Sequence, residues 1–309
     1  MALDPQARVL LDQINAMGGL PFRDPVAEAR QAIEAIAGMQ GTQEAVARVE
    51  DRKIPGPGGE IRVRLYNPGG TGALPALVYF HGGGWVVGSI NTVDGICRSL
   101  ANRANCVVVS VEYRLAPEHK FPAAADDAYA ATRWVAANAA AIGVDAAHLA
   151  VGGDSAGGNL TAVVALMARD RGGPALVQQL LIYPITDSVS DTLSYRDNAD
   201  GYLLTRDVML WFWNHYVRDA ADRSNPYAAP LRAANLQGLP PALVITAEYD
   251  PLRDEGEAYA ARLQAAGVPA ELTRYDGMLH GFFGMATVLD QGKQAVEQAA
   301  AALRAAFGS

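Results

Sequence analysis

The sequence points to an α/β protein with a mostly parallel central sheet and helices on both of its faces, on three grounds. Short apolar runs without polar alternation occur at Ala76 to Phe80 and Val107 to Val111, the pattern of strands buried on both faces. From there to the C-terminus, strand-like runs alternate with helical segments, as successive strand–helix–strand units require. Half of the 309 residues are apolar and 19% are charged, the composition of a folded chain able to bury a large core.

The elements follow in chain order. Residues 1–47 read as helical. Leu3, Ala7, Leu10, Ile14 and Met17 form one apolar stripe that stops at Gly18 and Gly19, and Asp24-Pro25 opens a second pattern through Ile33 and Ile36 to Gly38. Neither stretch has a Lys/Arg face, so both are expected to pack on protein and not to lie on a membrane surface. Val46 to Ile54 and Ile61 to Tyr66 alternate around the Pro/Gly-rich turn at 55–59, which reads as a hairpin. After the buried runs at 76–80 and 107–111 come a helix over 123–141, a strand at 148–152, a helix over 156–169 and a strand at 178–183. From about 187 to 238 the alternation stops, and an aromatic patch of Trp211, Phe212 and Trp213 with Tyr202, Tyr216 and Tyr227 takes its place. Either this is an insertion over the C-terminal edge of the sheet, where open α/β sheets bind ligands, or a helix there packs its aromatics inward. A strand at 241–247, a helix over 252–266, a strand at 270–275 and an Ala-rich helix over 286–306 complete the chain.

Composition narrows the function. A formal net charge of −8 disfavours nucleic acid or an anionic membrane as partner. The N-terminus lacks a cationic region and an uninterrupted apolar stretch, and no run of ~18 apolar residues occurs; a cytoplasmic protein with no membrane span is expected. Two cysteines, Cys97 and Cys106, make no disulfide framework, and no His or Cys pair has zinc spacing. No metal and no cofactor are therefore expected. Of the 31 glycines, eleven crowd into residues 56–59, 82–88 and 152–158, where backbone must turn sharply or approach something closely.

Gly153-Asp154-Ser155-Ala156-Gly157 lies between an apolar strand and an apolar helix. A turn this tight raises the central hydroxyl above the sheet edge at a helix N-terminus, which makes Ser155 the candidate nucleophile. Phosphate-cradling loops are excluded, because neither Gly-x-x-x-x-Gly-Lys-[Ser/Thr] nor Gly-x-Gly-x-x-Gly is present. His81-Gly82-Gly83-Gly84-Trp85 follows the strand ending at Phe80, and its bare N–H groups can converge on one anionic oxygen, with Ala156 closing the other side. The five histidines sort by position. His148 is expected at the far end of a strand, His119 in a Pro-containing loop, and His215 in the insertion, while His81 shapes the glycine loop together with Gly82. His280, in a loop after the last strand, follows in the chain order nucleophile–acid–histidine and is the expected base. Asp250, at the end of the 241–247 strand, is the expected acid that orients it, with Asp187 as the rival. Asp254 and Glu255, a turn further on, are expected to stabilise the N-terminus of their own helix. Candidates for the substrate pocket are Trp85, Asp154, Tyr183, Tyr202, Leu203 and Trp211, with Trp213 among the same aromatics.

These motifs resemble those of the hormone-sensitive-lipase-like, bacterial family IV esterases of the α/β-hydrolase fold. The likeness rests on His81 to Trp85, Tyr113 to His119 with Phe121 to Ala124, Gly152 to Asn159, Asp250 to Glu255 and His280 to Phe282, and it spans nearly the whole chain from about residue 46. It implies a triad of Ser155, Asp250 and His280 with Gly83, Gly84 and Ala156 as oxyanion donors. It also implies a helical cap from residues 1–47 and 187–225 over a catalytic domain of 48–186 and 226–309. The activity it implies is hydrolysis of short- to medium-chain carboxylic esters through an acyl-enzyme. Small-molecule esters are the expected partners, and a homodimer through a sheet edge is compatible. Two alternatives stay open: an amidase or acyltransferase using the same triad, and a non-catalytic ligand-binding member, against which the presence of His280 speaks.

Overall fold

The computed structural model describes residues 2–20, 22–38 and 43–308. Of the helical stretch expected over 1–47, residues 1, 21 and 39–42 lie outside the described residues. Two helices lead, α1 (Pro5–Ala16) and α2 (Val26–Gly38), before the hairpin of β1 (Arg48–Gly56) and β2 (Gly59–Asn67). Next come β3 (Leu74–Phe80), α3 (Asp94–Ala104), β4 (Val107–Glu112), α4 (Ala123–Ala137), β5 (Val144–Asp154), α5 (Ala156–Asp170) and β6 (Gln178–Ile182). The interruption holds α6 (Leu193–Asp197), α7 (Arg206–Tyr216) and α8 (Ala220–Ser224), and the chain closes with β7 (Ala242–Tyr249), α9 (Arg253–Ala265), β8 (Ala270–Leu279) and α10 (Asp290–Phe307).

The strands form one eight-stranded sheet in the order β1-β2-β4-β3-β5-β6-β7-β8. Among the described residues only β1 with β2 and β2 with β4 run antiparallel; every pairing from β4 to β8 is parallel. The unbroken apolar runs have their physical reason here. Along β3, Ala76, Val78 and Phe80 enter the core beneath α4 and α5, while Leu77 and Tyr79 enter the core beneath α1, α3 and α10. A strand covered on both sides turns successive side chains into one core or the other, so it reads as a near-continuous apolar run. Among the described residues no helix is long and apolar enough to cross a membrane.

The structure departs from expectation in several places. Helix α3 has no counterpart in the sequence reading; its buried face is Cys97, Leu100, Ala101 and Ala104, too small and too diluted by Asp94, Arg98 and Arg103 to read as an apolar stripe. The helix expected over 123–141 ends at Ala137 and is followed by a separate 3-10 turn, Ala139–Ile142. The last helix begins at Asp290 because a 3-10 turn, Phe282–Met285, follows β8. In α1 the buried residues are Ala7 and Leu11, and Met17, beyond the helix end, is 78% exposed.

Candidate active site

The C-terminal ends of β5, β7 and β8 carry the three side chains that matter most. Ser155 occupies the turn from β5 into α5 with φ 56° and ψ −116°, a strained conformation for a non-glycine residue. The glycines beside it are dictated by contact with β3: a Cβ on Gly157 would lie 1.9 Å from the Phe80 carbonyl oxygen, and one on Gly153 2.4 Å from the same atom. The turn is fastened by Ser155 N–H donating to Ile182 O at 2.9 Å, and Ser155 is only 8% exposed.

Strand register brings the other two together. Tyr249 on β7 pairs with Leu279 on β8, so the residues that follow, Asp250 and His280, leave the sheet side by side. His280 Nδ1 lies 2.7 Å from Asp250 Oδ2; a carboxylate only accepts, so Nδ1 carries the proton and donates. That leaves Nε2, 3.0 Å from Ser155 Oγ, free to accept from the hydroxyl. Asp250 is fully buried, and its second oxygen accepts from Leu252 N–H at 2.8 Å. The Tyr183 ring, 4.6 Å from the imidazole, packs against it.

The glycine loop is organised by its own carbonyls. In a planar trans peptide the C=O of one residue and the N–H of the next point in opposite directions, so bonding the carbonyl aims the amide. Gly82 O accepts from His81 Nδ1 at 2.7 Å, which aims Gly83 N–H. Gly83 O accepts from Val86 and Val87 N–H, both at 3.0 Å, which aims Gly84 N–H. Ser155 O accepts from Asn159 N–H at 3.0 Å and Ile185 N–H at 3.2 Å, which aims Ala156 N–H. His81 itself is buried and stacks on Tyr113 with ring centroids 4.2 Å apart, while Tyr113 Oη donates to His81 O at 2.8 Å. Burial pulls the His81 pKa down to about 4, so its ring is neutral at working pH and keeps the Nδ1–H that the loop needs.

Comparison with known proteins places the chain in a family. A family model described as alpha/beta hydrolase fold matches residues 77–284, well over half of the chain. The chain belongs to the α/β-hydrolase family. Its membership of the hormone-sensitive-lipase-like branch, expected from the motifs, holds. It is 47% identical over 265 residues to the carboxylesterase NlhH of Mycobacterium tuberculosis, covering 84% of this chain and 83% of that one. It is 39% identical over 286 residues to an arylesterase of Saccharolobus solfataricus, covering 92% and 93%. Among solved structures, a hyperthermophilic esterase from the archaeon Pyrobaculum calidifontis superposes with a TM-score of 0.95 at 49% identity, covering 99% of both chains.

Within this α/β-hydrolase frame the remaining candidates find their places. Asp187 is held by Arg232, with Nε 2.5 Å from Oδ1, and makes no bond to His280. His148 pairs with Asp145 at 2.7 Å and His215 with Asp24 at 3.3 Å; His119 is exposed. Asp254 and Glu255 lie in the first turn of α9, as expected, and reach beyond their own helix as well. Asp254 accepts from Ser194 N–H at 2.7 Å, and buried Glu255 accepts from Thr186 and Asp187 N–H at 2.6 and 3.2 Å. Both tie the segment after β6 to α9, and burial pushes the Glu255 carboxyl well above the usual range.

Of the pocket candidates, Tyr202 packs on Tyr249 at 4.9 Å, and Leu203 is 7% exposed. Trp211 is partly exposed and meets His215 edge-on at 4.6 Å. Trp85 is a correction: with φ +61° it turns its indole into the core, stacked 3.9 Å from Tyr216, and it is fully buried. Trp213 is buried in the same cluster. Asp154 is also not a simple pocket wall, since its Oδ1 accepts from Tyr79 Oη at 3.0 Å and Gly82 N–H at 3.2 Å.

Two residues were not singled out for the site in the sequence reading. Phe212 covers the glycine loop so closely that a Cβ on Gly84 would lie 2.1 Å from its ring. Nothing in its local pattern distinguishes it from Trp211 or Trp213. Asn159 is buried and donates to Ile185 O at 2.9 Å and Ala228 O at 2.8 Å, thereby bracing the residue whose N–H holds Ser155 O. The glycine-rich stretch ending in Asn159 was visible, but its two carbonyl partners lie 26 and 69 residues away.

Proposed function

We propose that this chain is a serine carboxylesterase hydrolysing short- to medium-chain carboxylic esters, with Ser155 as nucleophile, His280 as base and Asp250 as its orienting acid. The observation that carries the reading is the continuous hydrogen-bonded series Asp250–His280–Ser155, at 2.7 and 3.0 Å, beside three carbonyl-aimed N–H groups. Ser155 Oγ bonds to the acyl carbon as its proton passes to His280 Nε2, and the carbonyl electron pair moves onto oxygen. Gly83, Gly84 and Ala156 N–H groups receive that oxyanion, each such donor worth roughly 3 kcal/mol in the transition state. The tetrahedral species collapses with loss of the alcohol, which takes the proton from His280. Water then attacks the acyl-enzyme by the same route, and Ser155 recovers its proton. His280 alone carries the protons in both halves, so no step calls for a cofactor.

The cap reading, residues 1–47 with 187–225 over a catalytic domain of 48–186 and 226–309, is supported by contacts between distant segments. Phe22 meets Phe212 at 5.2 Å, and Asp24 meets His215. A reducing, cytoplasmic setting is supported by Cys97 and Cys106, both free and buried. Ester specificity and the serine route are tested together. Ser155→Ala is expected to abolish nitrophenol release from a short-chain nitrophenyl ester, and an organophosphate probe is expected to label the parent enzyme at Ser155 alone. Retained turnover in the variant, or faster turnover of the matching anilide amide than of the ester, would overturn the proposal.

A further inference from the structure

We propose that Asp154 is a positioning residue that ties the nucleophile turn to the oxyanion loop, so that Ser155 and the Gly83 and Gly84 amides stay in register. The inference rests on the esterase reading above and adds a residue to it. Asp154 is the last residue of β5, immediately before Ser155. Its Oδ1 takes two hydrogen bonds from a neighbouring strand and the loop that follows it: Tyr79 Oη at 3.0 Å and Gly82 N–H at 3.2 Å. Tyr79 is fully buried on β3, where it sits opposite Gly152 of β5. The carboxylate thus spans the two strand ends from which the nucleophile and the oxyanion donors emerge.

The contact matters because of where it falls in the loop. The Gly82 amide shares a peptide plane with His81 O, which accepts from Tyr113 Oη at 2.8 Å, so that plane is held at both ends. The next plane is held by His81 Nδ1 on Gly82 O at 2.7 Å, and the one after by Val86 and Val87 N–H on Gly83 O. Three successive planes are pinned, and Asp154 is the member of this set that also belongs to the nucleophile turn. A Cβ on Gly82 would lie 2.4 Å from Asp154 Oδ2, so the approach is open only to glycine. Keeping a carboxyl here is costly, since burial pushes its pKa up to about 6. An exception to the usual rule of apolar burial beside a reacting centre is where a working role is expected.

The test compares Asp154→Ala and Asp154→Asn by kcat and KM on a short-chain nitrophenyl ester, with Ser155→Ala in the same assay. Loss of the tether should lower kcat of Asp154→Ala by roughly 10- to 100-fold, less than deletion of a donor outright, with KM changed far less. Asp154→Asn keeps an oxygen that accepts both bonds and should stay within about threefold of the parent kcat. Full kcat in folded Asp154→Ala overturns the inference, and so does an Asp154→Asn variant that loses tenfold or more, because charge and not acceptance would then be at work. If the alanine variant does not fold, the asparagine variant alone decides by the same threshold. Turnover surviving in Ser155→Ala would instead sink the esterase reading, whereas an inactive Ser155→Ala beside a fully active Asp154→Ala sinks only the tether.

Discussion

Asp154 and His81 both bond the glycine loop at Gly82, one at its N–H and the other at its carbonyl, and burial pushes both toward their neutral forms with opposite consequences for stability. The Asp154 pKa rises from an ordinary 3.8 to about 6. Between those values the folded protein retains a proton that the unfolded chain has released, so this group's contribution falls as pH rises through the window. The His81 pKa falls from 6.5 to about 4. There the unfolded chain binds the extra proton, and stability is lost as pH falls through nearly the same window. The two slopes oppose each other in the parent protein. Removing one exposes the other: Asp154→Asn should gain melting temperature relative to the parent at pH 7.5, and lose that advantage on acidification to pH 4.5. Melting curves of the two proteins that run parallel across this range would show that the Asp154 carboxyl is not burdened by burial. Ser155 and His280 could be singled out in the sequence because their motifs are local. The part played by Asp154 could not, because its partners at Tyr79 and Gly82 lie 75 and 72 residues away.

Among the helices, α7 shows how far an element's meaning depends on what it faces. Its burst of aromatics admitted two readings, a cover for the site or an inward-packed helix, and both have support. Phe212, Trp213 and Tyr216 are buried, while Trp211 keeps part of its surface. Phe212 presses on Gly84, whose φ is +57°, so a side chain there meets both a strained backbone and a ring. Gly84→Ala should therefore destabilise by about 1–3 kcal/mol. Phe212→Ala should restore part of that loss in the Gly84→Ala background, although alone it opens a cavity and costs about 3 kcal/mol or more. Urea unfolding of the four proteins measures the coupling, and strictly additive losses would mean that the two residues do not touch. The strands were far easier to read than this helix. Burial on both faces leaves a continuous apolar signature at Ala76 to Phe80, whereas α3 turns inward mostly small residues, with Leu100 among them, and left little signature.

The molecule as a whole is held over its site by contacts between segments far apart in the chain. Arg30 on α2 donates from Nε to Val86 O and from Nη2 to Ala116 O, each at 2.8 Å, and pairs with both oxygens of Glu118. It joins the N-terminal helices to the loops after β3 and β4, and its side chain is 28% exposed. Arg30→Ala should cost about 2 kcal/mol, the range for hydrogen bonds to a charged group, and, on the proposed cap reading, raise KM more than it lowers kcat, because these helices would then shape the space for substrate and not the reacting atoms. Unchanged stability and KM in urea unfolding and ester kinetics would show that the N-terminal helices are not docked through this residue.

Local chemistry made the parallel sheet, the nucleophile turn and the glycine loop readable from the sequence alone. Unbroken apolar runs encode burial on both faces, and a serine flanked by glycines at a strand–helix junction needs no distant partner to be recognised. Which acid serves His280 was a different kind of question. Asp250 and Asp187 each follow a strand, and their sequence surroundings left both open. The register of Tyr249 with Leu279 sets Asp250 beside the imidazole, and Arg232 occupies Asp187. The same holds for Glu255, Trp85 and Asp154, whose places follow from strand order and long-range packing. Those separations, of 30 and 125 residues within the Asp250–His280–Ser155 series, are set by how strands are ordered in the sheet, which no window of local propensity contains.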